Sequence, residues 1–370
     1  MESERPLTRR QANAYDLIIF HYLFLTNHWG GVAHFRDTMR RCRVLKDATT
    51  PKIMLPQDEF YHADLFCEFI REFSIQCVFS VAPESEWEKI YREVDFGRVK
   101  FFRVLTGYID EEKLKRVQQF AREQPVRPID IGYRTAGRPY FWFGRHGYLK
   151  QHIADLFEKI APSRGLSLDI STSNQAIILG DDWYRFLLRC KYTLGVESGT
   201  SLLDWDGSVH QKTQAYVAAN PSATFDDVEA ACFPGRDGEI SLFALSPRHL
   251  EACMTRTCQV LTEGHYNGVL QPDVHYIQMR KDLADAQRVI ELMSRDELRQ
   301  EMVERAYQDL IGSGAYSYRR FVEFVIEQAL RSTQRTVAAA RPSVFSEAVI
   351  RFCEKADQIW QKLRKRGRAG

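Results

Sequence analysis

Within residues 190–281, carboxylates, hydroxyls and small residues recur where apolar runs end. Gly195-Val-Glu-Ser-Gly-Thr-Ser201 and Asp204-Trp-Asp-Gly207 come first, then Ser246-Pro-Arg-His-Leu-Glu251 and Glu263-Gly-His-Tyr-Asn-Gly268. In a layered α/β protein the loops that hold a ligand leave the ends of strands in this way. The hydroxyls and backbone N–H groups of Glu197, Ser198, Gly199 and Ser201 can form an anion-binding loop, or a tight strand-to-helix turn without a ligand. Asp204 and Asp206 share one side of an extended loop, where they can take hydroxyls or a metal, or give a carboxylate to a reaction. As turn formers before Gly207 they would do none of these. Glu263 and Tyr266 follow an apolar strand and lie at its carboxyl end, the edge expected to touch ligand.

A second cluster is basic. Gly144-Arg145-x4-Lys150 opens a helix. A glycine there lets a phosphate approach the backbone, and the helix amino end adds partial positive charge. Arg145 and Lys150 would neutralise phosphates and stabilise a phosphate leaving group, unless they form only a solvated helix face. Glu251 falls in the first turns of a helix after Ser246-Pro247, where it can bind ligand hydroxyls or only favour the helix amino end. Gln57-Asp58-Glu59 follows a strand ending at Pro56. A carboxylate there can act as base on a hydroxyl or orient it, or cap the next helix. His21 interrupts an apolar strand, where a satisfied core histidine is the usual case. Phe141-Trp-Phe143 reads more readily as core packing than as a stacking platform.

These residues need strands and helices to carry them. Residues 15–25 read as a strand buried on both faces, followed by strands at 52–56, 76–81 and 100–105. Helices at 64–73 and 84–93 separate them. This alternation implies parallel strands and right-handed crossovers. A charged helix over 110–124 ends at Pro125 and Pro128, which marks a domain boundary. Strands then follow at 127–133, 166–170, 192–196 and 258–261, with helices at 148–160, 183–190, 247–254, 284–293, 296–310 and 317–330. The expected division is 1–125, 126–335 and a tail, 336–370. The tail reads as a helix with a basic end, Lys362-Leu-Arg-Lys-Arg-Gly-Arg368, either packed on the domains or resting on a membrane surface.

Composition narrows the classes. The chain has 370 residues, 44% hydrophobic and 27% charged, enough for two sizeable cores. A net charge of +2 gives no overall pull toward nucleic acid. The 8 cysteines sit mostly in apolar runs, as buried thiols of a reducing compartment do, and Cys253-x4-Cys258 lacks a partner pair at zinc spacing. The polar start, Met1-Glu-Ser-Glu-Arg-Pro, has no apolar core of a leader peptide. The longest apolar run, 17–25, is about nine residues and cannot span a bilayer. A cytoplasmic protein is expected, with a peripheral place at the inner membrane face if the tail binds there.

No Gly-x-Gly-x-x-Gly fingerprint is present, which weakens a dinucleotide-binding reading. The motifs instead resemble a family. Residues 127–322 are similar to the donor half of a GT-B glycosyltransferase, in particular a bacterial group found with polysaccharide synthesis. The likeness is carried by Asp130-Ile-Gly-Tyr-Arg134, Gly180-Asp-Asp-Trp-Tyr184, Leu194-Gly-Val-Glu-Ser-Gly199 and Asp204-x-Asp-Gly207. Ser246-Pro-Arg248 with Glu251, Glu263-Gly-x-Tyr-x-Gly268, His275-Tyr-Ile277 and Ser317-Tyr-Arg-Arg-Phe321 add to it. Phe20-His-Tyr22, Gln57-Asp-Glu59 and Leu105-Thr-Gly-Tyr108 extend it to the N-terminal half.

The resemblance implies two Rossmann-like domains facing a cleft, with the nucleotide sugar on the second and a hydroxyl acceptor on the first. It places Arg134, Arg145, Lys150, Glu197, Ser198, Gly199, Ser201, Asp204, Arg248, Glu251, Glu263 and Tyr266 about the donor. Asp58, Glu59 and Asp206 become the catalytic carboxylates. Glu251 takes the ribose, but the position eight residues earlier is Phe243, which departs from the common Glu-x7-Glu pattern. The expected reaction is sugar transfer from a nucleotide donor to a glycan, lipid-linked or small-molecule hydroxyl, in cell-surface polysaccharide or glycoconjugate synthesis. Retention is favoured, and no metal or other cofactor is required. Two other readings compete: a nucleotide-sugar epimerase, and a non-catalytic interaction protein on the same scaffold.

Overall fold

The computed structural model describes residues 8–135 and 141–333. The expected basic tail therefore lies outside the described residues. The chain forms two compact units, both discontinuous. Of the described residues, the first holds those up to Val104, Leu202–Leu242 and those from Val322 on; the second holds Leu105–Ser201 and Phe243–Phe321. The division thus falls before the charged helix and not after it. Glu111–Glu123 buries Val117 and Phe120 in the second core, and Arg185 lies 3.8 Å over the Phe120 ring.

The first unit is built on four parallel strands in the order β1 (Ile18–Phe20), β2 (Lys52–Met54), β3 (Cys77–Ser80) and β4 (Lys100–Arg103). Sequential order with right-handed crossovers sends every connecting helix to one face. Phe20, Met54, Val78 and Phe101 lie in register on that face. Phe20 packs 4.8 Å from Phe69 of the helix Ala63–Phe73, and Phe101 4.9 Å from Tyr91. The helix Tyr318–Ser332 packs on the opposite face. Its Phe324 meets the stacked Phe79 and Phe102 edge-on, 6.2 Å from each. The first strand is shorter than its apolar run suggests. It stops at Phe20 because His21 caps the helix Tyr22–Leu25, its Nδ1 accepting from Leu23 N–H at 3.4 Å. His21 is thus a cap, not a core histidine.

The second unit holds five parallel strands in the order β6-β5-β7-β8-β9. These are β5 (Ile129–Arg134), β6 (Leu168–Ser171), β7 (Cys190–Gly195), β8 (Cys258–Thr262) and β9 (Ile277–Met279). Ile131, Leu194 and Val260 pack with Ile153 and Phe157 of the helix Gly144–Ile160 on one face. Cys190 and Leu261 pack with Phe186 and Leu250, from the helices Asp181–Leu188 and Pro247–Met254, on the other. Gly132 is fixed by this packing: a Cβ there would overlap Cys190 Sγ and reach Phe186.

At the amino edge of this sheet, half-buried Arg127 ties the strands together. Its Nη1 donates to Leu187 O (3.1 Å), Cys190 O (2.6 Å) and Thr257 Oγ1 (3.1 Å), and its Nη2 to Thr255 O (2.5 Å). Burial lowers its pKa to about 10, so it stays charged at neutral pH. Removing it leaves three carbonyls short of a donor. Arg127→Ala is expected to destabilise the protein by about 2–4 kcal/mol in urea unfolding, with Arg127→Lys intermediate because a single ammonium cannot serve both forks. A loss within experimental error would remove the clamp from the account.

Candidate functional site

In the strand order of the second unit the first strand lies between the second and the third, so neighbouring β5 and β7 send their chains to opposite faces. The crevice outside their carboxyl ends is where such sheets bind ligands. From β5 the chain passes to the helix Gly144–Ile160, whose amino end faces this edge, and from β7 to Val196 and Glu197.

Glu197 is a structural anchor and not a ligand contact. It is 1% exposed, and its Oε1 accepts from His265 N (3.1 Å) and Tyr266 N (2.8 Å). It thereby joins the loops after β7 and β8. Gly264 leaves room for it, since a Cβ there would lie 2.6 Å from Glu197 Oε2. Tyr266 is fully buried with its hydroxyl on Thr262 O at 2.7 Å, so it belongs to the core. The expected anion loop is also committed elsewhere. Thr200 Oγ1 and Ser201 N donate to Phe143 O at 2.9 and 3.1 Å, and Ser201 Oγ accepts from His146 N at 3.4 Å. Ser198 is partly exposed, and Gly199 supplies the positive φ of 114° that lets the segment turn back. These residues cap the helix after β5 from outside its own sequence.

Around that helix end the structure gathers a group the sequence reading missed. His146 is buried, its Nε2 3.0 Å from Glu197 O, so the ring carries its proton there. Its ring stacks on Phe243 with centroids 3.9 Å apart and planes at 27°. Lys281, on the loop after β9, places Nζ 5.1 Å from the Phe243 centroid. Its backbone is held by Glu263 Oε2, which accepts Lys281 N–H at 3.4 Å. Burial lowers the His146 pKa to about 3, with Lys150 and Lys281 pressing it down further, so the imidazole is neutral at physiological pH. Lys150 follows His146 by one helical turn and shares its face, whereas Arg145 points to an exposed face. That spacing in the sequence could have found His146; nothing local marked Lys281.

Glu251 is clamped by the helix Asp181–Leu188. Trp183 Nε1 donates to its Oε2 at 2.8 Å and Tyr184 Oη to its Oε1 at 3.4 Å. Burial raises its pKa above the ordinary carboxylate value, opposed chiefly by the Trp183 bond. Arg248 sits 5.1 Å over the Trp183 ring and donates to Arg134 O. Arg134 in turn bonds Asp169 through both its carbonyl and its carboxylate, while its buried Nε has no partner among the described residues. A cavity of about 540 Å³ opens here, lined by Arg134, Asp169, Asp182, Arg185 and the apolar Ile177–Leu179 and Phe186. The structure thus joins Arg134, Arg248 and Glu251 in one chain of contacts, through Trp183.

The carboxylates read as catalytic all lie in the first unit, and they differ sharply. Glu59 is fully buried: it accepts from Ser80 Oγ (2.6 Å), Val81 N (2.7 Å) and Tyr91 Oη (2.5 Å), so it cannot reach a bound substrate. Asp204 is fully buried too, and caps the helix Ser208–Ala219 by accepting from Val209 N (3.0 Å) and His210 N (2.8 Å). Its two carboxylate oxygens are spent on that cap. Asp206 is exposed and accepts Ser208 N–H at 3.0 Å, the turn-forming role. Asp58 alone stands exposed on a strand-end loop, after β2, with a left-handed φ of 55°. Among the described residues no group of three or more His, Cys, Asp or Glu is placed to hold a metal ion, and no helix is long and apolar enough to cross a membrane.

No family model matches the chain, and no curated protein matches it in sequence. Solved structures similar to it include HepE of Anabaena in complex with UDP-glucose: 11% identical, covering 88% of this chain and 80% of that one, TM-score 0.43. An alpha-glucosyltransferase in complex with UDP-glucose and DNA containing an abasic site is 11% identical, with coverage of 87% and 82% and a TM-score of 0.46. Sucrose-phosphate synthase of Thermosynechococcus elongatus is 10% identical, with coverage of 86% and 74% and a TM-score of 0.43.

The buried Glu59 makes a pH signature. Burial raises its pKa from 4.5 to about 7 against the pull of its three donors. The folded state therefore holds this proton more tightly than the unfolded chain. Its stabilising effect is complete below about pH 4.5 and is lost as pH rises through about 7. Glu59→Gln, which keeps the shape without the charge, is expected to flatten the fall in stability over that window by on the order of 3 kcal/mol. Parallel pH profiles for variant and wild type in urea unfolding would contradict the assignment.

Proposed function

We propose that the protein is a glycosyltransferase that moves a sugar from a nucleotide donor to a hydroxyl acceptor. The observation that carries this reading is the setting of the β5/β7 divergence. There a helix amino end, Lys150 and Lys281 surround a neutral His146, beside a clamped carboxylate and an arginine-lined cavity. A diphosphate fits the cations and the helix end. Glu251 takes ribose hydroxyls at its exposed edge, and the cavity, with apolar walls and polar edges, takes the base.

The reaction needs the bond between the anomeric carbon and the phosphate oxygen to break. The electron pair leaves on the diphosphate, where Lys150 and Lys281 offset the growing charge. Glu251 accepts hydrogen bonds at both carboxylate oxygens, which supports a path without a carboxylate nucleophile. In that path the acceptor oxygen attacks on the face the phosphate leaves, the acceptor proton passes to the phosphate oxygen, and configuration is retained. The lysines do the work a divalent ion would otherwise do, so no metal is required.

Thermal shift against UDP-, GDP-, dTDP- and CMP-sugars tests the reading. At a hundredfold excess over Kd one donor should add about 2.7 kcal/mol of stability, a rise of a few degrees in Tm. No rise with any nucleotide would sink it. Glu251→Ala and Lys281→Ala should each weaken that donor roughly tenfold or more, the lysine effect shrinking at high salt. Chelation by EDTA should leave turnover unchanged, and NMR of the product should show the donor's anomeric configuration. Epimerised donor formed without an acceptor would favour the epimerase instead.

A further inference from the structure

The cations of the first unit are gathered in one corner. Residues 8–46 hold seven arginines and lysines against two aspartates, a net charge of +5 where the whole chain has +2. The helix Val32–Arg41 turns Phe35 and Met39 inward, which sends Arg40 and Arg41 to solvent with 74% and 80% of their side chains exposed. The short helix Arg43–Lys46 follows and buries none of its residues. The helix Arg9–Ala12 is tied beside it. Asn13 Oδ1 accepts Thr49 N–H at 2.9 Å, and Thr50 Oγ1 lies 2.9 Å from Ala12 O and 3.3 Å from Tyr15 O. Tyr15 itself is 58% exposed. Much of this charge lacks a counter-ion. Arg36 is spent on Glu68 and Lys46 on Glu72, at 2.8 and 3.3 Å. Asp37 serves both Arg40 and Arg41, at 3.1 and 2.8 Å. Arg9, Arg10 and Arg43 form no ion pair among the described residues. Crowded like charges cost the compact state free energy, which an anionic partner would offset.

We propose that this corner, Arg9, Arg10, Arg40, Arg41 and Arg43 with Tyr15, docks on an anionic lipid surface. All five cations are arginines, whose forked guanidinium matches phosphate oxygens better than an ammonium does. Tyr15 has the form of an interfacial anchor, an apolar ring with a polar tip. Val44 and Leu45, half-buried, share the short helix with Arg43. A headgroup layer receives such aliphatic carbon between its phosphates, whereas a polynucleotide backbone would leave it against charge. A membrane therefore fits this surface better than a nucleic acid. The contact belongs to the first unit alone, and it does not rest on the transferase reading.

Co-sedimentation of the full chain with vesicles tests it. The probes are vesicles of phosphatidylcholine alone, vesicles of phosphatidylcholine mixed with phosphatidylglycerol, and a single-stranded oligonucleotide as the lipid-free polyanion. The protein should bind the mixed vesicles, and binding should fall as salt is raised. Arg40→Gln, Arg41→Gln and Arg43→Gln together should weaken it on the order of a hundredfold, and Tyr15→Ala severalfold. The same loss of three charges placed at the exposed Arg98, Arg122 and Arg164 should leave it near wild type. The basic end Lys362–Arg368 is present in every variant, so it cannot produce these differences. Far-UV circular dichroism and Tm confirm that each variant folds. Absence of vesicle binding, or equal binding with and without phosphatidylglycerol, overturns the proposal. So does binding unmoved by the three substitutions or weakened as much by the control set, and so does an oligonucleotide held by the same arginines in place of vesicles. Nucleotide thermal shifts on these variants should match wild type, which keeps the outcome separate from that of the transferase reading.

Discussion

The second unit depends on one topological constraint: β5 lies between β6 and β7, so two neighbouring strands must part at their carboxyl ends. Everything else at the edge follows from keeping those strands close while their chains separate. Gly132 lets Cys190 and Phe186 press against β5. Arg127 locks the opposite end, where no ligand is wanted. With one end fixed by a guanidinium and the middle by packing, the crevice at the other end is held open by covalent geometry. It needs no strain of its own.

The same edge explains why carboxylates misled the sequence reading. Loops and helix starts leave backbone N–H groups without partners. A buried carboxylate needs donors, and these N–H groups are the nearest supply. Glu197 takes His265 and Tyr266, Asp204 takes Val209 and His210, and Glu59 takes Val81 with two hydroxyls. Each stands at a strand end for the reason a catalytic acid would: that is where the chain turns. Spacing alone does not separate the two roles. Exposure sets Asp58 and Asp206 apart from the buried three, and Asp206 is taken up by its turn.

The periodic segments were legible. The helix 247–254 matches Pro247–Met254, and the expected strands fall within a few residues of their apolar runs, while β9 was not expected. Where local chemistry competed with pattern, pattern lost. The run 15–25 is apolar throughout, but His21 ends the strand by capping a helix. The Pro125 break looked like a boundary, but Phe120 carries its helix into the second core. Leu202–Leu242 could not be assigned to the first unit from sequence, because the parallel bridge of Tyr61 to Asp204 spans a long stretch of chain. Lys281 was invisible for the same reason: its neighbours Phe243 and His146 are remote in sequence.

Phe243 sharpens what that lysine does. At this position a glutamate would lie close to Lys281 and, through His146, near Lys150. Opposite charges a few ångströms apart at a partly buried edge attract by several kcal/mol, and the pair would present little net charge to a phosphate. The phenyl ring holds the ammonium differently. A cation over an aromatic face gains roughly 0.5–2 kcal/mol without a counter-charge. The stacked, neutral His146 adds none either. Lys281 is therefore positioned while its full charge stays available, and the edge keeps a positive field. A ring at this position thus leaves the charge of Lys281 uncompensated, and the cation is a residue that no local motif announces.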